Sequence, residues 1–293
     1  MKRLLFIPFL VLGLSALPAQ EAVVLPSPDA KTLGMGGAAM AVVSGSHAIY
    51  GNPAMASFSL MPSQVSSSYL GQGRSSYYAV TGYWRFDNFN LTQIGWRQFF
   101  REHGSSDMAV DLGYSRRIGD RWAVGAVTRY SRFKRPESSG NALAVDLSAG
   151  WMKPLNDVGE FSVLRVGAKV ANLGGCFRKS DCSLPLDFSA GVAWDTFLSD
   201  AHEFTVAADF GYCFSPSAVR GRRAAVGAEY NLMQLVQFRA GYHYGRRQDH
   251  YPSFASVGAG LRILHLRLDF AYLFASKSSA WHNTYSISFG LDF

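Results

Sequence analysis

Charge is scarce in this chain: Asp, Glu, Lys and Arg make up 17% of its 293 residues. Long apolar runs are missing as well. Beyond residue 19 no stretch approaches the roughly 18 uninterrupted apolar residues of a membrane helix, so helical spans are excluded. The glycines from Gly34 to Gly37 are followed by no Gly-Lys-Ser/Thr and preceded by no alternating strand, which excludes a phosphate cradle. Cys176 and Cys182 have no nearby histidine pair and do not make a zinc site. His47, His103, His202, His243, His250, His265 and His282 are scattered, and none joins a serine and a carboxylate in a recognisable nucleophile motif. The one pairing that a barrel lipase would use is His282 with Ser286 or Ser288 on an adjacent strand. No enzymatic activity, cofactor or metal is expected.

What the chain has is alternation. In the last stretch Tyr285, Ile287, Phe289, Leu291 and Phe293 interleave with Thr284, Ser286, Ser288, Gly290 and Asp292, the period of a strand. An aromatic at the end of an apolar strand face makes an odd edge for a soluble sheet, whereas the closing strand of a barrel turns that face to lipid. From Val65 onward about fourteen such segments follow, among them Ser162 to Ala171, Pro185 to Asp195 and Thr284 to Phe293. With 48% hydrophobic and 14% aromatic residues, the chain reads as an all-β transmembrane antiparallel barrel of about fourteen strands. A large soluble sandwich is the competing class.

The organisation has three parts. Residues 1–19 have a basic head, an apolar core and small residues before the cut, the marks of a secretory signal peptide. Residues 20–62 do not alternate and form an N-terminal periplasmic plug, with a short helix starting at Asp29, a good cap, and a turn at Asn52-Pro53. Residues 63–293 form the barrel. Counting connections from a periplasmic start, every second one is short, as Met233-Gln234 and Leu264-His265 are, and the opposite set is longer and basic. Arg101, Lys134, Arg135, Arg178, Lys179, Arg220, Arg222, Arg246, Arg247 and Lys277 fall in that set, and such a rim meets either solvent or the phosphates of lipopolysaccharide. The net charge of +7 in an exported chain points to such an anionic surface and not to nucleic acid.

Within the strands Asp111, Arg129, Asp146, Arg165, Lys169, Asp187, Asp209, Glu229, Arg239, Arg262, Arg267 and Asp269 lie on the polar side of the alternation. Charges of both signs in one lumen predict cross-barrel ion pairs that hold the plug, and no ring of one sign marks an ion-selective pore. Trp84, Trp96, Trp122, Trp151, Trp194 and Trp281 are read as interfacial girdles near strand ends. In an oxidising compartment Cys176 with Cys182 is a local disulfide candidate, leaving Cys213 unpaired or pairing with either.

Three resemblances follow from these residues. The terminal alternation Tyr285, Ile287, Phe289, Leu291, Phe293 resembles the signal by which bacterial barrels are handed to their assembly machinery. Leu33-Gly34-Met35-Gly36-Gly37-Ala38, followed by Tyr50-Gly51-Asn52-Pro53-Ala54, resembles the N-terminal hatch of the FadL-like outer-membrane barrels, in particular the PorV/PorQ group associated with type IX secretion. Val166 to Gly175 with Leu184 to Trp194 is similar to the same group's pattern, in which Asn-Leu-Gly ends one strand and Leu-Pro opens the next. The resemblance implies an outer-membrane location and a component of type IX protein secretion or surface attachment. Such a component acts by binding and handing over cargo bearing C-terminal signal domains. The chain is shorter than that group's PorV, with modest outer loops. The alternative functions are a FadL-like transporter of hydrophobic small molecules and a purely structural barrel.

Overall fold

The computed structural model describes residues 21–22, 27–136, 139–155, 160–177, 182–245, 252–279 and 281–293. Residues 1–19, and Arg178, Lys179, Arg246 and Arg247 of the basic rim, lie outside the described residues.

Fourteen strands carry the alternation into structure: β1 Ser63–Gln72, β2 Ser75–Arg85, β3 Asn90–Phe100, β4 Ser106–Ile118, β5 Trp122–Lys134, β6 Ser139–Leu155 and β7 Phe161–Phe177, then β8 Leu186–Ser199, β9 His202–Ser215, β10 Gly221–Leu232, β11 Val236–Gly245, β12 Phe254–Ile263, β13 Leu266–Ala275 and β14 Thr284–Asp292. Each pairs antiparallel with its sequence neighbours, and β14 closes on β1 with Ile287 opposite Tyr69, so the sheet has no edge. The expected all-β antiparallel barrel is therefore the observed one. In β5 every second residue, from Ala123 to Phe133, is buried, and every other, from Trp122 to Lys134, is exposed. Throughout the wall the exposed set is apolar, including Val80, Ile94, Leu112, Leu147, Val206, Val226, Phe238 and Phe270. A bilayer solvates such an exterior, and the polar residues face inward.

The largest boundary difference from expectation is at the end of β7. The segment expected to end at Ala171 continues to Phe177 because a bulge absorbs the Asn-Leu-Gly step. Val145 pairs with Leu173 and Leu147 with Val170, so Asp146 faces two residues. Asn172 takes the extra position at φ +62°, a left-handed conformation that asparagine tolerates. The tryptophans also divide. Trp84 and Trp122 are exposed near the short-turn end, where Trp122 meets Trp151. Trp96 and Trp194, by contrast, stand in mid-strand, and Trp281 packs against the buried Phe254. The girdle at the long-loop end is made of Tyr and Phe instead, including Tyr69 against Tyr78 and Tyr285, and Tyr212 against Phe214.

Residues 27–62 lie inside the barrel. Helix α1 Ala30–Gly34 is capped by Asp29, whose carboxylate accepts from the Lys31 and Thr32 N–H groups. Two 3₁₀ turns follow at Gly45–Ile49 and Pro53–Phe58, the second capped by Asn52 with Pro53 at its first position. Upstream, Glu21–Ala22 pairs in parallel with Cys182–Ser183 of the β7–β8 connection. The N-terminal segment therefore starts at the long-loop end, while residue 62 enters β1 from the short-turn end.

Candidate functional site: the plugged lumen

The plug sits where the wall has no side chains. A Cβ at Gly167, Gly227 or Gly241 would overlap plug backbone at Met40, Met35 or Gly36. Gly227 and Gly241 are paired across β10 and β11, and Gly167 and Gly191 across β7 and β8, so each gap is two strands wide. This lets backbone pack against wall, and the wall's hydroxyls and amides take up the plug's unpaired groups.

Those contacts run the length of the plug. The Ser286 hydroxyl donates to the Pro28 carbonyl at 2.5 Å, and the Ala30 N–H donates to Ser288 Oγ at 3.0 Å. Ser256 Oγ donates to the Gly34 carbonyl at 3.1 Å and accepts from the Gly36 N–H at 3.0 Å. Asp209 Oδ2 accepts from the N–H groups of Ala39 at 2.6 Å and Met40 at 2.9 Å. Asn52 Nδ2 donates to the carbonyls of Met40 at 2.8 Å and Ala149 at 3.0 Å. The Pro53 carbonyl accepts from Gln93 at 3.1 Å and Ser115 at 2.8 Å, and the Ala54 N–H donates to Ser148 Oγ at 3.2 Å. Leu33, Met35 and Ala38 are buried, and Gly36 and Gly37 take φ +69° and +88°. The plug residues singled out in the sequence thus all meet the wall or turn the chain toward it.

The lumen charges form balanced chains. Asp111 Oδ2 lies 3.1 Å from Arg97 and its Oδ1 2.6 Å from Arg129, which reaches Asp146 at 2.8 Å. Arg129 also donates to Asn172 Oδ1 at 2.7 Å, tying the β7 bulge to the chain. Across the lumen Arg239 joins Glu229 and, at 2.6 Å, Asp269, and Lys31 of the plug adds to Glu229 at 3.3 Å. Arg165 pairs with Asp195, Arg223 with Asp187 and Arg267 with Asp292. Arg97 and Arg223 were not among the lumen charges singled out in the sequence. For Arg97, its place two residues before the apolar Phe99 and between Trp96 and Gln98, on the face opposite Trp96, was the available signal. Two arginines of the expected basic rim are turned inward: Arg101 and Arg135 both engage the buried Asp107, at 2.8 and 2.7 Å.

One constellation inside the lumen had no sequence signal, because its members are far apart in the chain. His47 Nε2 lies 2.8 Å from Ser68 Oγ and its Nδ1 3.7 Å from Asp29 Oδ1. Burial holds the His47 imidazole below its ordinary range, against the pull of Asp29. Burial pushes the Asp29 carboxyl up, but His47 and the Thr32 hydroxyl and N–H outweigh it, and its pKa ends below the ordinary value. All three side chains are buried and none borders the cavity described below, so the trio ties plug to wall and has no room for a substrate. The His282 pairing fails differently: Ser286 and Ser288 face the plug, while His282 Nδ1 lies 3.3 Å from the Ala275 carbonyl. Tyr285, Ile287 and Phe289 are exposed on the outer face of β14, and Phe293 is 62% exposed. Cys176 is disulfide-bonded, and Cys213 is buried with its Sγ 3.4 Å from the Ser215 carbonyl. The side chain of Cys182 lies outside the described residues.

Above the plug, toward the long loops, is a cavity of about 660 Å³, within the range of small-molecule sites. Leu33, Phe99, Phe254 and Trp281 form one side, and Arg129, Asp146, Lys169, Asp187 and Arg223 another. His243, Phe254 and Trp281 stack in one column, with centroids 5.0 and 5.7 Å apart and planes 4° and 16° from parallel. Trp281 is thus a cavity residue and not part of a girdle.

No family model matches the chain, and no curated protein does. Solved structures do. The toluene transporter TbuX of Ralstonia pickettii superposes with a TM-score of 0.60 at 14% identity, over 92% of this chain and 98% of that one. The CymD monoaromatic hydrocarbon channel gives 0.58 at 13% identity, over 92% and 97%. A Pseudomonas aeruginosa FadL homologue also gives 0.58 at 13% identity, over 92% and 99%. Nearly the whole length of each is matched at identities that speak for fold alone, and the fold of this chain is the FadL-like β-barrel.

Proposed function

We propose that this protein is an outer-membrane channel for small, largely apolar molecules. The cavity above the plug carries this reading. It is large enough for a small ligand, is faced on one side by Leu33, Phe99, Phe254 and Trp281, and lies against the plug, which belongs to no wall strand. The fold shared with transporters of toluene and monoaromatic hydrocarbons supports the same reading. A molecule arriving from the long-loop side would rest against the rings until displacement of the Leu33–Ala38 segment opened the lumen below. The test is uptake of toluene by proteoliposomes carrying the barrel, with a disaccharide as control. Uptake above protein-free vesicles with the sugar excluded is expected, and equal rates for vesicles with and without the barrel would overturn it.

A type IX secretion component in the manner of PorV/PorQ is the second reading. It is favoured by two interior ties made by residues of the resemblance: the Asn52 amide donates to the Met40 and Ala149 carbonyls, and the Asn172 amide donates to the Pro185 carbonyl at 2.8 Å. Mild-detergent isolation from the native membrane separates the two. Recovery of a very large barrel, or of cargo sharing a C-terminal domain, favours secretion, and a solitary barrel carrying a small apolar ligand favours the channel.

A further inference from the structure

We propose that the preferred occupant of the cavity is an anionic ring compound, an aromatic carboxylate, and not a plain hydrocarbon. This rests on the channel reading and narrows its substrate class.

Two features of the same cavity carry the inference. The first is the ring column. His243, Phe254 and Trp281 stand nearly parallel and all border the cavity, so a flat apolar ring continues their stacking. His243 is held by the plug itself, its Nδ1 being 3.1 Å from the Gly36 carbonyl. The second is Lys169, 8% exposed on the cavity wall, whose ammonium donates to the Tyr50 carbonyl at 2.8 Å. Among the described residues it forms no ion pair within 4.0 Å. Of the carboxylates on the cavity wall, Asp146 is held by Arg129 and Asp187 by Arg223. Asp209 spends Oδ2 on the N–H groups of Ala39 and Met40, and its Oδ1 has no hydrogen-bond partner among the described residues. One neutral carbonyl does not balance a buried ammonium, whereas a carboxylate entering the cavity would do so with a charge-assisted hydrogen bond. A hydrocarbon would satisfy the rings and leave the ammonium with the Tyr50 carbonyl as its hydrogen-bond acceptor.

The test measures binding of benzoate, benzamide, decanoate and toluene to the full-length detergent-solubilised barrel. Wild type should bind benzoate about tenfold more tightly than benzamide, the size of one charge-assisted hydrogen bond. Lys169→Met should erase that preference and leave toluene unchanged, Lys169→Arg should keep it, and Trp281→Ala should weaken benzoate and toluene together. Equal binding of benzoate and benzamide by wild type overturns the inference without any variant having to fold. So does a preference that survives in Lys169→Met, and decanoate binding far better than benzoate overturns the ring. If toluene binds and benzoate shows no advantage, the channel reading stands and only this inference falls. If neither ring compound binds, both fall.

Discussion

The lumen holds its plug by two unlike means. Beside α1, Leu33 packs with Leu70, Tyr77, Phe99, Phe254 and Leu273 in a buried apolar cluster. Adjoining that cluster at Phe99, the chain Arg97, Asp111, Arg129 and Asp146 runs across β3 to β6, with Arg97 placed 4.3 Å from the centre of the Tyr50 ring of the plug. Apolar contact is graded, so losing a methylene costs in proportion to the area and the cavity left. A buried ion chain is all or none, because each charge is tolerable only while its partners remain. One protein can thus seat its plug through apolar contact and register it through charge.

The sharpest way to break the comparison is Arg129→Met. It takes the arginine from Asp146 and leaves Asp111 with Arg97 alone, and about 3–5 kcal/mol of barrel stability should be lost. Denaturant titration of the reconstituted barrel, read by folded-band mobility, measures it. Replacing Asp146 by Leu in the same chain leaves the balanced pair Arg97–Asp111 and should recover most of that loss, and a double variant as unstable as the single one would refute the all-or-none account. Next in size is Leu33→Ala, expected to cost about 2–4 kcal/mol by cavity formation in the apolar cluster. It should also raise the frequency of large-conductance openings in planar bilayers.

A smaller effect is expected from pH. His47 has a folded-state pKa below its ordinary 6.5, so the unfolded or plug-released state binds the proton more readily. The contribution is complete above about 6.5 and is lost as pH falls from there through the folded-state value. Asp29, also lowered, contributes above its ordinary 3.8 and is lost only below that. Opening frequency should therefore rise between neutral pH and the acid side of 6.5, and His47→Gln should flatten the rise. The smallest effect is Lys31→Met, about 0.5–1 kcal/mol for a partly exposed pair whose carboxylate keeps Arg239. If it matched Arg129→Met, a carboxylate that keeps one cation would be no better off than one that loses its only arginine, and the account of the ion chains would fail.

How much of this was legible depended on range. The strands from Ser75 to Leu232 and from Phe254 to Ala275 follow from alternation, because side-chain direction in a strand is set one residue at a time. The capping of α1 by Asp29 was equally local. The bulge at Asn172 was misread as a strand end, since only pairing with β6 tells an extra residue from a stop. Arg101 and Arg135 were read as free rim charges because Asp107, which draws both inward, is recognised only once the barrel closes.

The sequence by itself determined an exterior for lipid, an interior for polar groups, a closing strand from Thr284 and an irregular segment before residue 63. These are properties of period and composition, which no tertiary contact needs to supply. Only the tertiary structure decided that Gly167, Gly227 and Gly241 form a seat for the plug, that Asp29, His47 and Ser68 meet inside it, and that Trp281 stacks on Phe254 beside a cavity bordered by Lys169. Each depends on which residues of distant strands share a level and a face once fourteen strands close in one register. A linear chain does not state that register, because closure selects it from many locally equivalent pairings.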